Sequence, residues 1–173
     1  MRWFAITALA VVAMVAASSS SAPQSARAAT CVGALVHYEQ APKPRLSIQL
    51  PWIAAGRQGR KVIGHLFYYG RSLREQSGDR LAIYTGGELP GGGATKILWM
   101  VRPLSSSQLV ISGRQLDGSG VFEQRFRPAS SADGTVFPSI VNVPGTGCWV
   151  LTVRSGRAAG RFAVVAIDAP RTP

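Results

Sequence analysis

The sequence predicts an all-β fold of about eight to ten short antiparallel strands, arranged as two packed sheets or a barrel. Three observations carry this. Runs rich in β-branched and aromatic residues recur along the chain; turn signals separate them; no segment sustains a 3.6-residue apolar period. The chain has 173 residues, which suits one domain.

The N-terminus reads as an export signal. Arg2 supplies a positive charge, Phe4 to Ala17 is an apolar run broken by Thr7, and Ala26-Arg27-Ala28 fits a small-x-small cleavage rule. The expected organisation is therefore a signal peptide over 1–28, one sandwich domain over 29–168 and a loose tail over 169–173. The apolar run falls short of the roughly 20 residues that cross a bilayer, so no transmembrane span is expected after cleavage. The destination is the cell exterior or the envelope.

The elements follow in order. Cys31–Tyr38 is a first extended segment. Ala41-Pro-Lys-Pro-Arg45 is a proline-restricted connection. Leu46-Ser-Ile-Gln-Leu50 alternates with period two, which predicts a strand ending near Pro51. Gly56–Lys61 reads as a polar loop and Val62–Tyr69 as a strand. A short helical turn is expected at Leu73–Gln76, inside a polar loop, before a strand at Leu81–Thr85.

Gly86–Ala94 is glycine-rich. Both phosphate-binding glycine motifs need a following helix, and here the strand-like Ile97–Val101 follows, so the segment reads as a surface loop. Leu109–Ser112 and Val121–Phe126 flank Asp117-Gly118, a hairpin signal. Asp133-Gly134 precedes a strand at Val136–Val143. Cys148–Val153 and Gly160–Ile167 form the last predicted hairpin.

Phe137-Pro-Ser-Ile-Val-Asn-Val-Pro-Gly-Thr-Gly-Cys-Trp-Val-Leu-Thr-Val153 resembles the E–F corner and strand F of bacterial immunoglobulin-like sandwiches. The run Pro144-x-x-Gly147-x-Trp149-x-Leu151-x-Val153 carries the likeness. The C-terminal half is also similar to small secreted bacterial proteins of no assigned activity. The resemblance implies an immunoglobulin-like antiparallel β-sandwich and brings no catalytic residues with it.

The formal net charge is +11, and it falls by two when Arg2 and Arg27 leave with the signal. Such a charge favours anionic partners: acidic lipids, envelope polyanions or nucleic acid. The arginines are scattered singly through strands and turns, with Lys only at 43, 61 and 96. They read as a solvated face. No basic cluster interleaves with aromatics, which argues against sequence-specific nucleic-acid binding.

Two cysteines in an exported chain favour a Cys31–Cys148 disulfide. On the strand from Cys148, alternation puts Trp149, Leu151 and Val153 on the core face. Cys148 is then expected on the outer face or at a strand edge, pinning the N-terminal segment from outside. The competing reading is a sortase-like thiol transpeptidase using Cys148 with His65 and Arg154, in the order His, Cys, Arg. A cysteine nucleophile needs a histidine beside it. The strand before Cys148 reads Pro-Gly-Thr-Gly rather than the sortase Thr-Leu-x-Thr.

Two histidines 28 residues apart give no metal-ligand spacing, and no cofactor is expected. Trp99 in its apolar run is expected in the core. Trp52, beside Pro51, is the candidate for an exposed surface contact. The expected role is a non-catalytic binding or envelope-associated module, taking an anionic or glycan surface or another protein.

Overall fold

The computed structural model describes residues 31–57, 59–87, 89 and 93–169. The expected signal peptide, most of the glycine-rich loop's apex and the last four residues lie outside the described residues. Among the described residues no helix is long and apolar enough to cross a membrane.

The described chain forms ten strands and one short helix. These are β1 (Trp52–Arg57), β2 (Arg60–Leu66), α1 (Arg71–Ser77), β3 (Ala82–Tyr84), β4 (Lys96–Arg102), β5 (Leu109–Gln115), β6 (Val121–Phe126), β7 (Ala129–Ser131), β8 (Gly134–Ile140), β9 (Gly147–Ser155) and β10 (Ala158–Ile167). They build two five-stranded sheets, in the orders β1-β2-β4-β8-β7 and β3-β10-β9-β5-β6. All ladders are antiparallel except the short parallel pairing of β3 with β10. The all-β expectation holds, and of the two arrangements it allowed the chain adopts two sheets.

The core lies between the sheets. Trp99 on β4 and Phe162 on β10 meet with ring centroids 5.5 Å apart. Trp149, Leu151 and Val153 are buried in the same cluster, the face that alternation assigned them. The indole N–H of Trp99 donates to Ser139 Oγ at 2.9 Å, and that hydroxyl donates to the Ile97 carbonyl. A buried indole N–H needs such a partner. Gly64 on β2 makes room for the ring, since a Cβ there would lie 2.6 Å from Trp99 Cζ3.

One expected strand is absent, and the first extended segment joins neither sheet as a strand. Cys31–Tyr38 makes only isolated bridges, Leu35 to Arg80 and His37 to Trp52. Segment 46–50 has no ladder partner: Leu46 is buried, Leu50 half-buried and Ile48 exposed. It crosses the outer face of the first sheet as a strap, with Leu46 packed on Met100 and Val136. Proline-restricted flanks and the absence of a free sheet edge beside it explain why a clean alternation yields no strand.

Conversely, Gly56–Lys61 is not a polar loop but the tip of the β1–β2 hairpin, where Arg57 pairs with Arg60. The helical turn near Leu73 extends to a seven-residue helix whose Leu73 is buried. The hairpins β5–β6 and β9–β10 form as expected, the second closing on a tight turn with Gly156 at φ +55°.

Candidate functional site

The residues of the transpeptidase reading are not brought together. Cys148 is bonded to Cys31, with Cα atoms 5.5 Å apart and a sequence separation of 117, and no free cysteine is present among the described residues. His65 lies on β2 in the first sheet, beneath the strap, and lines a small cavity with Gln40, Arg45 and Gln49. Cys148 and Arg154 lie on β9 in the second sheet. A buried histidine in one sheet cannot make a thiolate of an oxidised cysteine in the other.

The disulfide itself is as expected, on the outer face of its sheet. Cys148 alternates with core-facing Trp149 and so points away from the core. Yet β9 is the middle strand of its sheet, not an edge, and Cys148 is only 4% exposed. The chain from Ala34 back to Cys31 covers it. The Ala34 N–H donates to the Ala163 carbonyl of β10, and from there the segment crosses β10 to reach Cys148. The Cys148 N–H donates to the Asp117 carboxylate. A buried disulfide of this span fits an extracellular location.

The expectation for Trp52 is corrected. It is 7% exposed, stacks on His37 at 4.2 Å and donates its indole N–H to the Glu39 carbonyl at 2.8 Å. Bridging to His37 draws the N-terminal segment over it, so Trp52 holds that segment down and offers no surface platform.

The charged side chains give the positive finding. Arg57, Arg60, Arg154, Arg157 and Arg161 line one groove of about 480 Å³, together with Thr152 and the backbone of β1 and β10. All five arginines are exposed. No carboxylate lines the groove, and none of the five takes part in an ion pair among the described residues.

The fold builds this convergence in two steps. First, β9 and β10 carry outward-facing positions at Thr152, Arg154, Ala159 and Arg161; Thr152 lies opposite Arg161 and Arg154 opposite Ala159. Second, β3 pairs only with Val165–Ile167, which leaves the first half of β10 without a ladder partner on that side. The β1–β2 hairpin fills the gap. Ala55 and Val62 lie against Gly160, and Gly56 lies so close to the Ala159 carbonyl that a Cβ would come within 2.9 Å of it. Gly56 also adopts φ +122°, which a side chain disfavours. This approach hangs Arg57 and Arg60 beside Arg161.

The arrangement is locally unfavourable. Arg57 stands opposite Arg60, and Lys61 opposite Arg102, in directly paired positions. Like charges across a ladder destabilise it. Five guanidinium groups with no carboxylate make a strong anion field, and each presents a planar fork suited to phosphate, sulfate or carboxylate. Among the described residues no group of three His, Cys, Asp or Glu could hold a metal ion.

The reading of the arginines as scattered is thus overturned in space. The missed signal was Arg57-Gln-Gly-Arg60: a glycine in a two-residue turn, following the apolar Trp52-Ile53-Ala54, is a hairpin signature. Neither a scan against protein-family models nor searches of curated proteins and of solved structures found a match to this chain.

Proposed function

We propose that this chain is an exported, non-catalytic immunoglobulin-like β-sandwich that binds an anionic polymer of the cell envelope through the arginine groove. The observation that carries the reading is the convergence of five exposed arginines from two hairpins, with no carboxylate among them. Arginines that merely solubilise a surface are interspersed with acids. Here the charge is concentrated at one place, at a cost to the hairpin that bears it.

Export is supported by the signal-like N-terminus and by the disulfide. The immunoglobulin-like assignment is supported by strand order. The run β2-β4-β8-β7 matches the A-B-E-D sheet, and β10-β9-β5-β6 matches G-F-C-C′. The disulfide departs from the inter-sheet bridge of antibody domains, because Cys148 points away from the core and pairs with the N-terminal segment.

Polyphosphate coupled to a solid support tests the reading. The full chain is expected to bind, with log K falling linearly in log salt by about 0.7 per phosphate contact. The double variant Arg154→Glu/Arg161→Glu is expected to lose that binding while keeping its fold. Binding that is indifferent to salt, or equal in the variant, would overturn the proposal.

A further inference from the structure

The groove does not end at Arg161. Thr152 and Arg161 also line a neighbouring depression of about 550 Å³, which runs past Ser112 and Arg114 on β5 to Val121 and Glu123 on the edge strand β6. The two depressions share those two side chains, so they form one continuous channel along the outer face of the second sheet.

Register orders the channel. Ser112, Thr152 and Arg161 stand in one row across β5, β9 and β10. Arg154 lies one double step from Thr152 along β9, toward the hairpin tips. Val150, opposite Arg114, lies one double step the other way. Each double step is about 6.8 Å, so Arg154 and Arg114 are rooted roughly 14 Å apart along the strands. A root spacing of that size leaves room for successive phosphates of one chain between the two arginines.

The channel is also selective in what it lacks. Its one carboxylate, Glu123, is held by Arg125 at 2.6 Å. Its one aromatic residue, Phe122, is packed against Trp149 with centroids 5.6 Å apart. No ring is free to stack on a nucleobase or a sugar. What remains is a file of guanidinium groups with the hydroxyls of Thr152 and Ser112 between them, and Val121 and Val150 flanking Arg114.

We infer that the groove is a linear track with three stations, which takes a flexible polyphosphate or phosphodiester chain lengthwise. The stations are Arg57, Arg60 and Arg157 at the hairpin tips, Arg154 and Arg161 in the middle, and Arg114 at the far end. This rests on the anion-binding reading above and adds the class of ligand and its direction. Linking the stations through one chain raises affinity by effective concentration, without new contacts.

The experiment measures binding of the full chain to orthophosphate, tripolyphosphate, long-chain polyphosphate and phosphatidylglycerol vesicles. Long-chain polyphosphate is expected to bind about tenfold or more tightly, per phosphate, than tripolyphosphate. Arg114→Ala is expected to weaken long-chain binding about tenfold, the loss of one charge-assisted contact, and to leave tripolyphosphate unchanged. Arg161→Ala is expected to weaken both. A thermal unfolding curve matching the wild type shows that each variant folds. Equal affinity per phosphate for tripolyphosphate and the long chain would overturn the track, as would an Arg114→Ala variant that binds the long chain normally. Binding to vesicles alone would assign the phosphates to a lipid surface and also overturn it. Salt-sensitive binding to none of the probes would overturn the groove reading itself.

Discussion

Arg57 and Arg60 face each other as a directly paired, like-charged couple across the tip of the β1–β2 hairpin. Like charges in paired positions weaken the ladder there. Arg57→Glu turns repulsion into attraction. It is expected to raise stability by about 0.2–1 kcal/mol while lowering affinity for polyanions. Thermal unfolding and binding, measured on the same sample, check the opposite signs. A variant that binds as well as the wild type would remove this pair from the site.

The Cys31–Cys148 bond closes a span of 117 positions. In the chain-entropy model a loop of that length contributes about 4–5 kcal/mol. The double variant Cys31→Ala/Cys148→Ala is expected to unfold at a markedly lower denaturant concentration. Thiol titration of the oxidised wild type, unfolded without reductant, is expected to find no free thiol. One reactive thiol at Cys148 would reopen the nucleophile reading.

His65 is 1% exposed, and neither ring nitrogen has a hydrogen-bond partner. Burial pushes its pKa down, and the charge of Asp133 opposes this only in part. Arg45, immediately before the strap that covers it, lines the same cavity. The unfolded chain therefore takes up a proton, near the ordinary histidine value of about 6.5, that the folded chain refuses. Stability is intact above that pH and falls as the pH drops below it. His65→Leu is expected to flatten this part of the pH profile. Equal slopes for the two proteins between neutral and mildly acidic pH would show that His65 ionises freely in the fold.

The Trp99–Ser139 hydrogen bond, made within the first sheet, fixes the indole ring that packs against Phe162 of the second. Ser139→Ala leaves a buried indole N–H without an acceptor and is expected to cost about 1–3 kcal/mol. Gly64→Ala forces a methyl group into the Trp99 ring and is expected to cost about 1–3 kcal/mol as well. The two sites act through one ring, so a double variant should depart from additivity. Denaturant melts of the three variants provide the measurement.

Legibility followed the range of the interaction. Trp149, Leu151 and Val153 announced their common face because alternation is set by the pleat of one strand. Asp117-Gly118 announced a hairpin because a turn needs only a few residues. Leu46, Ile48 and Leu50 misled for the complementary reason: alternation is necessary for a half-buried strand, but a ladder partner must also be free. Trp52 misled because its cover, His37, arrives from another segment. The β1–β2 hairpin was legible in Arg57-Gln-Gly-Arg60, yet its importance was not, since nothing local says where the tip comes to rest.

The sequence by itself determined the all-β class, the alternating faces of β9, the turns at Asp117-Gly118 and Asp133-Gly134 and the pairing of the two cysteines. Each depends on neighbours along the chain, or on there being one partner to choose. Only the tertiary structure decided that Arg57 and Arg60 of one hairpin lie beside Arg154, Arg157 and Arg161 of another, and that Cys148, His65 and Arg154 do not share a site. Those distances arise from how two sheets close on one another, where Gly160 admits Ala55 and Val62 at the edge of β10. Packing between segments a hundred residues apart leaves no periodic trace in the chain, so charges that look scattered in sequence converge in space.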